Sequence, residues 1–269
     1  MGAGHRDPLT SPLAMRIDSP ANPRIKEALR AVERGERLLL EGSRALGEAL
    51  AAGVVLEEIF FEGEEGLAET GLLKQAAERG TASFLVSSRV LGKLSDLPSA
   101  RGIVALAEPP RRTLAGIAIS KGALAVLLDG VQDPTNVGAI VRSAEAFGAA
   151  GVVLTPGSAD PFSPKAVRAS ALSALRVPIA TGVAPGEAAD WAARQGATLA
   201  GAEARGGESP GSLRGIRPLV LVIGAEGRGL SPGLEAGLAL RVTIPLAGRV
   251  ESLNAAVAAG VLLHAVTSG

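Results

Sequence analysis

The chain has 269 residues, 47% of them hydrophobic and 20% charged, and its 27 basic and 27 acidic side chains cancel. It contains no Cys, which excludes thiol nucleophiles, thiolate metal sites and disulfides. Its two His, at positions 5 and 264, leave no His-rich metal cluster, and five Phe, one Trp and no Tyr offer no aromatic platform for stacking bases. The charge balance also holds locally. Residues 1–122 carry 16 basic and 16 acidic side chains and the remainder 11 of each, so a general electrostatic grip on nucleic acid is not visible in the totals.

Residues 1–15 are polar and aperiodic and read as a disordered extension, with Met15 a candidate natural start. They lack the basic and apolar regions of a secretory signal, so the expected compartment is the cytosol. No apolar run approaches the roughly 20 residues that a membrane span needs.

From Ala21 the pattern becomes regular. Asn22-Pro23 has the form of a cap followed by a first-position proline, predicting a helix to about Arg34. A strand follows at Arg37–Glu41, a helix at Ser43–Ala52 and a strand at Leu56–Glu62. A helix at Glu65–Arg79, a strand at Ser83–Val86, a helix at Ser87–Leu94 and a strand at Gly102–Ala107 complete a small α/β domain over 16–107. Residues 108–121 open with the charged, proline-bearing Glu108-Pro-Pro-Arg-Arg-Thr and read as a linker.

The segment 122–269 alternates again. Strands are expected at Ala123–Leu128, Gly151–Leu154, Val177–Ala180, Ala197–Ala202, Leu219–Ile223 and Leu240–Ile244. Helices are expected at Asn136–Phe147, Ser163–Leu175, Gly186–Gln195, Pro232–Ala236 and Ser252–Val266. Near-continuous apolar strands separated by helices predict a parallel sheet covered on both faces. The Gly-rich stretch Glu203–Gly215 reads as a long, mobile loop.

Three strand ends carry polar groups, and ligands on such sheets bind beyond the carboxyl ends of the strands. After Leu128 a loop leads into a helix bearing Asn136, Gly138, Arg142 and Glu145. Arg142 and Glu145 share a face and could form a plain surface pair. Gly138 costs about 1 kcal/mol relative to Ala in a helix, which calls for a backbone or a ligand close by. After Ile223 come three glycines in six residues around Glu226. The pattern is neither Gly-x-Gly-x-x-Gly nor a Walker loop, so an ordinary dinucleotide site is unsupported. After Ile244 a short loop reaches Ser252, placed as a helix cap, and then a segment apolar on all sides, which must be buried on all sides.

In order, Asn136-x-Gly-x-Ile-x-Arg142-Ser, Ile223-Gly-x-Glu226-Gly-x-Gly-Leu-Ser and Ile244-Pro-x-x-Gly-x-x-x-Ser252-Leu-Asn254 resemble the three motifs of the SpoU (TrmH-type) branch of the SPOUT methyltransferases. The match covers about residues 122–267. Ser19-Pro-Ala-Asn-Pro-Arg-Ile-Lys and Leu40-Glu-Gly-Ser-Arg-Ala-Leu more loosely resemble the family's amino-terminal substrate-binding domain, itself similar to a kink-turn-binding ribosomal protein. Ala255-Ala256 departs from the Val-Ser often found there, a change between small residues that should still pack.

The resemblance implies methyl transfer from S-adenosylmethionine to a ribose 2′-hydroxyl of RNA, without a metal. It implies a deep trefoil knot at the carboxyl end and a homodimer with active sites at the subunit interface. Carried over motif by motif, Gly224, Ile244 and Leu253 would touch the cofactor. Arg142 would be catalytic, with the partner subunit's cofactor as one possible target. Asn136 would orient Arg142, and Glu226, Ser252 and Asn254 would fix the loops and the ribose. A guanidinium, with a pKa above roughly 12, is a poor general base and a good stabiliser of a developing alkoxide. The substrate-binding domain favours ribosomal over transfer RNA, with Arg24, Lys26, Arg30, Arg34 and Arg44 as candidate phosphate contacts. Their other reading is a solvated helix face interleaved with Glu27 and Glu33. The alternatives are a transfer-RNA ribose methyltransferase and a non-catalytic RNA-binding or ribosome-assembly protein on the same fold.

Overall fold

The computed structural model describes residues 15–63, 70–95, 102–119, 122–225 and 229–268. The chain divides into two compact units, Met1–Pro109 and Pro110–Gly269.

In the first unit the elements are β1 (Met15–Ile17), α1 (Pro23–Glu33), β2 (Leu38–Glu41), α2 (Ser43–Ala51), β3 (Leu56–Phe61), α3 (Thr70–Glu78), β4 (Ala82–Val86), α4 (Ser88–Leu94) and β5 (Ile103–Ala107). The sheet order is β1-β4-β3-β5-β2, with β5 antiparallel to both β2 and β3 and the other pairs parallel. Met15 therefore opens a strand, one residue inside the extension expected to be disordered; residues 1–14 of that extension lie outside the described residues. Asn22 does cap α1, its side chain accepting the Arg24 N–H at 2.9 Å, with proline at the first turn. The core closes around Phe60 and Phe84, whose rings stack at 5.5 Å. Phe60 is fully buried, which stabilises the fold by roughly 1.5–3 kcal/mol.

The second unit contains β6 (Leu124–Asp129), α5 (Pro134–Ala146), β7 (Val152–Leu154), α6 (Pro164–Ala169), β8 (Ile179–Ala180), α7 (Pro185–Arg194), β9 (Thr198–Ala202), β10 (Leu219–Gly224), α8 (Pro232–Glu235), β11 (Leu240–Val242) and α9 (Ala255–Thr267). All neighbours in the sheet order β11-β9-β10-β6-β7-β8 are parallel. Proline sits at the first turn of α5, α6, α7 and α8, where its missing N–H costs nothing and its fixed φ suits the helix. The segment expected to be a linker is built into this unit from Pro110 on. Leu114 and Ile117 are buried, and the Trp191 indole donates to the Ile117 carbonyl at 3.2 Å.

Several boundaries differ from expectation for local reasons. The first motif's helix starts at Pro134, before Asn136, because Asp133 caps it by accepting the Thr135 N–H at 2.8 Å. The helix expected through Leu175 ends at Ala169, since Ala171 and Leu172 take positive φ of 49° and 70°, and a 3-10 turn covers Ser173–Leu175. The last strand stops at Val242 rather than Ile244.

The loop 203–215 is pinned along its length. The Gly207 N–H donates to Thr243 Oγ1 at 2.9 Å, Glu208 bridges Val242, and a 3-10 turn occupies Pro210–Leu213. A Cβ on Gly207 would lie 2.8 Å from the Arg241 backbone, so only glycine permits this approach. As a result β11 is enclosed, with β9 on one side and Glu208 on the other.

Candidate active site

A cleft of 520 Å³ opens at the carboxyl ends of β9, β10 and β11. Its walls come from three stretches: Ala202–Arg205 after β9, Ile223–Ala225 with Gly229 around the end of β10, and Ile244, Leu246 and Glu251–Leu253 before α9. Ala255, Ala258 and Leu262 of α9 close one side. The lining is aliphatic and glycine-bearing with a few convergent polar groups, the character of a small-molecule pocket. Gly224, Ile244 and Leu253, the residues expected to touch the cofactor, all line it, as does Ser252.

Two glycines shape the wall. A Cβ on Gly224 would meet Leu230 Cδ2 at 2.8 Å, and one on Gly201 would meet Leu230 Cδ1 at 2.8 Å. Leu230, itself buried, plugs the space those glycines leave. The Ala225–Gly229 bridge folds the loop back on the strand end. Glu226, expected to be catalytic, lies outside the described residues.

Asn254, not Ser252, is the cap of α9. Its Oδ1 accepts the Ala256 and Val257 N–H groups at 2.9 and 3.3 Å. Its Nδ2 donates to Asn136 Oδ1 at 2.9 Å, joining the first and third motifs. Ser252 is left exposed at the cleft.

Arg142 is exposed, and among the described residues it has no carboxylate in ion-pair range. It does not line the cleft. The surface pair imagined with Glu145 is absent, because Glu145 takes a bidentate pair with Arg176 at 2.5 and 2.8 Å. That contact holds the Glu145 carboxyl below its usual range. Gly138 is explained by packing rather than by a ligand: a Cβ there would sit 2.3 Å from the Ala166 carbonyl oxygen and 2.8 Å from Ala169 Cβ. Asp133 is held below its usual range by the Thr135 backbone N–H first, with Lys165 adding at 3.6 Å.

In the first unit the expected phosphate contacts are divided. Arg24 pairs with Glu58 and lies over the Phe84 ring at 4.5 Å. Arg34 pairs with Glu27 at 2.8 Å and Glu36 at 2.6 Å, and Arg30 stands 4.0 Å from Glu27. Lys26 and Arg44 are exposed without an ion-pair partner among the described residues. The helix face interleaved with Glu27 describes two of the five, Arg30 and Arg34, while Arg24 is held by the sheet.

The residues that sequence reasoning missed are Asp129, Thr155 and Ser231, which tie the cleft loop to the sheet, and Glu203 and Arg205 on the cleft wall. Asp129 is legible in sequence only as a carboxylate closing an apolar strand, which names no partner. The two cleft charges carry no such signal. Among the described residues no group of three or more His, Asp or Glu could hold a metal, and no helix is long and apolar enough to cross a membrane.

A parallel sheet with a glycine-bearing cleft at its carboxyl edge, walled by the second and third motifs and by the loop after β9, fits the SPOUT-type methyltransferase that the resemblance implies. Comparison with known proteins gives the family. The profile of the SpoU rRNA Methylase family matches residues 123–264, and that of the RNA 2′-O ribose methyltransferase substrate-binding domain matches 39–113. A Mycobacterium marinum protein called an uncharacterized tRNA/rRNA methyltransferase is 36% identical over 94% of this chain and 85% of its own length. The AdoMet-bound rRNA methyltransferase of Sinorhizobium meliloti superposes with a TM-score of 0.85 at 27% identity, covering 94% of this chain and 97% of that one. The SpoU methyltransferase AviRb of Streptomyces viridochromogenes, in complex with AdoMet, gives 0.81 at 29% identity over 92% and 98%. The chain belongs to the SpoU family of S-adenosylmethionine-dependent RNA 2′-O-ribose methyltransferases.

Proposed function

We propose that this protein methylates a ribose 2′-hydroxyl of ribosomal RNA, working as a homodimer in which Arg142 of one subunit serves the cofactor cleft of the other. The observation that carries this reading is the convergence of Gly224, Ile244, Ser252 and Leu253 on one cleft, with Arg142 off it. Arg142 is exposed and outside its own chain's cleft, yet on the helix tied to the third motif through Asn136 and Asn254, and this supports action across an interface.

The apolar α9 supports the second subunit. It packs along α5, with Phe147 and His264 rings 6.0 Å apart, yet leaves Val257 and Val261 52% and 39% exposed. A helix with so little polar surface needs a cover on that side, and a two-fold partner presenting the same stripe would supply it. The knotted path belongs to the same reading, since β11 runs enclosed between β9 and Glu208 before the chain turns into α9.

The cleft suits S-adenosylmethionine: aliphatic walls for the adenine, glycine backbones for close approach and a volume in the range of small-molecule sites. When bound, the cofactor supplies a methyl group activated by the sulfonium. Arg142 would bind the phosphate next to the target ribose and stabilise the alkoxide developing at the 2′-oxygen. Asn254 and Asn136 would hold the start of α5, so that Arg142 is presented in a fixed orientation. Glu226, Ser252 and Asn254 would position the loops and the ribose. The substrate-binding profile over 39–113 and the rRNA methyltransferase likeness support ribosomal RNA.

The test is methylation in vitro with separate ribosomal and transfer RNA, the modified nucleoside being identified by mass spectrometry. A 2′-O-methylated nucleoside in ribosomal RNA is expected. Modification of transfer RNA alone would move the substrate, and no transfer to either would refute the reading.

A further inference from the structure

Asp129 closes β6 and is 4% exposed, yet among the described residues it has no cationic partner. A buried carboxylate without a countercharge must be satisfied by hydrogen bonds, and this one is. Its Oδ1 accepts the Thr155 and Ser231 hydroxyls, both at 2.8 Å, and its Oδ2 accepts the Ser231 N–H at 2.6 Å. Its carbonyl accepts the Ala225 N–H at 3.0 Å, and Gly130 N–H donates to Thr155 Oγ1 at 3.1 Å. One residue thus gathers the ends of β6, β7 and β10 together with the far root of the loop after β10. Ser231 precedes α8 at a cap position, yet its hydroxyl makes no capping bond and turns to Asp129 instead.

Resting on the proposed function, we propose that Asp129 is the positioning residue of the cofactor wall. Ala225 and Gly229 line the cleft. Asp129 holds Ala225 through its backbone and, through Ser231, the end of the loop two residues past Gly229. Leu230, wedged against Gly201 and Gly224, supplies only apolar contact between these polar anchors. Apolar packing fixes depth but not the direction of backbone groups, whereas the three bonds to the carboxylate set the orientation of the wall. Asp129 does not line the cleft and acts through the loop.

The experiment compares full-length Asp129→Ala and Asp129→Asn with the parent protein. Calorimetric titration with S-adenosylmethionine should show at least about tenfold weaker binding for Asp129→Ala, while KM for RNA stays within about twofold. Asn can still accept the Ser231 N–H and should restore affinity to within about threefold. Amide exchange in the ligand-free proteins should quicken at Ser231, whose N–H the carboxylate accepts, in Asp129→Ala only. Unchanged affinity in Asp129→Ala alongside a lowered melting temperature would overturn the proposal, as would equal impairment of Asn and Ala. If Asp129→Ala does not fold, Ser231→Ala, which loses the hydroxyl bond alone, should weaken binding by about threefold, and unchanged binding overturns the proposal. A parent protein that fails to bind S-adenosylmethionine contradicts the proposed function instead, and the exchange measurement then still decides the role of Asp129.

Discussion

Asn254 Nδ2 lies 2.9 Å from Asn136 Oδ1, across 118 residues of sequence, while the Asn254 carbonyl oxygen of the same amide caps α9. One side chain therefore starts the last helix and ties it to the helix that bears Arg142. The two duties can be separated. Asn254→Ala removes the cap and should lower stability by about 1 kcal/mol, besides reducing methylation. Asn254→Ser keeps a capping oxygen but cannot reach Asn136. It should unfold within about 0.5 kcal/mol of the parent in chemical denaturation and still lose most activity. Parent-like turnover in the serine variant would reduce the tie to a structural detail.

Gly138 gives a prediction that runs against helix propensity. Alanine is favoured over glycine by about 1 kcal/mol in a helix, but here the added methyl would meet the Ala166 carbonyl oxygen at 2.3 Å and Ala169 Cβ at 2.8 Å. Backbone cannot move aside cheaply, so Gly138→Ala should destabilise by roughly 2–3 kcal/mol. A melting temperature equal to or above the parent's would show that α5 and α6 can separate without cost.

The turn after α6 stores strain. Ala171, at φ 49°, occupies the left-handed region, where a side chain costs roughly 1–2 kcal/mol and glycine very little. Glycine also gains entropy in the unfolded chain, so Ala171→Gly should be neutral to about 1 kcal/mol stabilising. Ala171→Val should destabilise by at least about 1 kcal/mol. The order Gly, Ala, Val in denaturation midpoints is the check.

These cases show what was legible in the sequence. The alternation of strand and helix was plain because proline and capping residues punctuate it, as Asn22-Pro23 does at the head of α1. The cleft residues Gly224, Ile244 and Leu253 came from the family resemblance of the motifs, and the strand-end reading gave only the side of the sheet on which they lie. Sequence periodicity could not show that Ser163–Leu175 breaks in the middle, because Ala171 and Leu172 carry no sign of positive φ; only packing forces them there. Nor could it choose Asn254 over Ser252 as the cap, since both residue types cap helices and the choice falls to the partner waiting at Asn136. Asp129 went unread because a carboxylate at a strand end becomes informative only once Thr155 and Ser231 are beside it.

The Glu145–Arg176 pair should mark the acid response of the second unit. The Arg176 guanidinium lowers the Glu145 carboxyl below its ordinary value. A carboxyl lowered on folding contributes stability that is present above its unfolded pKa and lost as pH falls through the folded one. The parent should therefore lose stability on acidification from about pH 5 to pH 3 more steeply than Glu145→Gln. Both pair members are about a third exposed, so the difference should shrink in high salt. Parallel pH curves for the two proteins would remove this pair from the acid response.

The proposed dimer makes the sharpest demand. Val261→Glu places a charge on the exposed apolar stripe of α9 and should yield monomer in sedimentation, with S-adenosylmethionine binding weakened less than methylation. Mixing two inactive proteins then tests whether Arg142 works across the interface. Arg142→Ala lacks the catalytic group but keeps its cleft. Gly224→Val keeps Arg142 but forces a side chain into the space held by Leu230 and Gly229, spoiling the cofactor wall. In a mixed dimer, action across the interface unites the intact Arg142 of one chain with the intact cleft of the other at one of two sites. With random pairing half of the dimers are mixed, so about a quarter of parent activity should return. If Arg142 serves its own chain, every site in every dimer lacks one part and no activity returns. Recovery thus requires both that the chain dimerises and that the guanidinium crosses to its partner, and its absence from a mixture shown to exchange subunits would place Arg142 back on its own cleft.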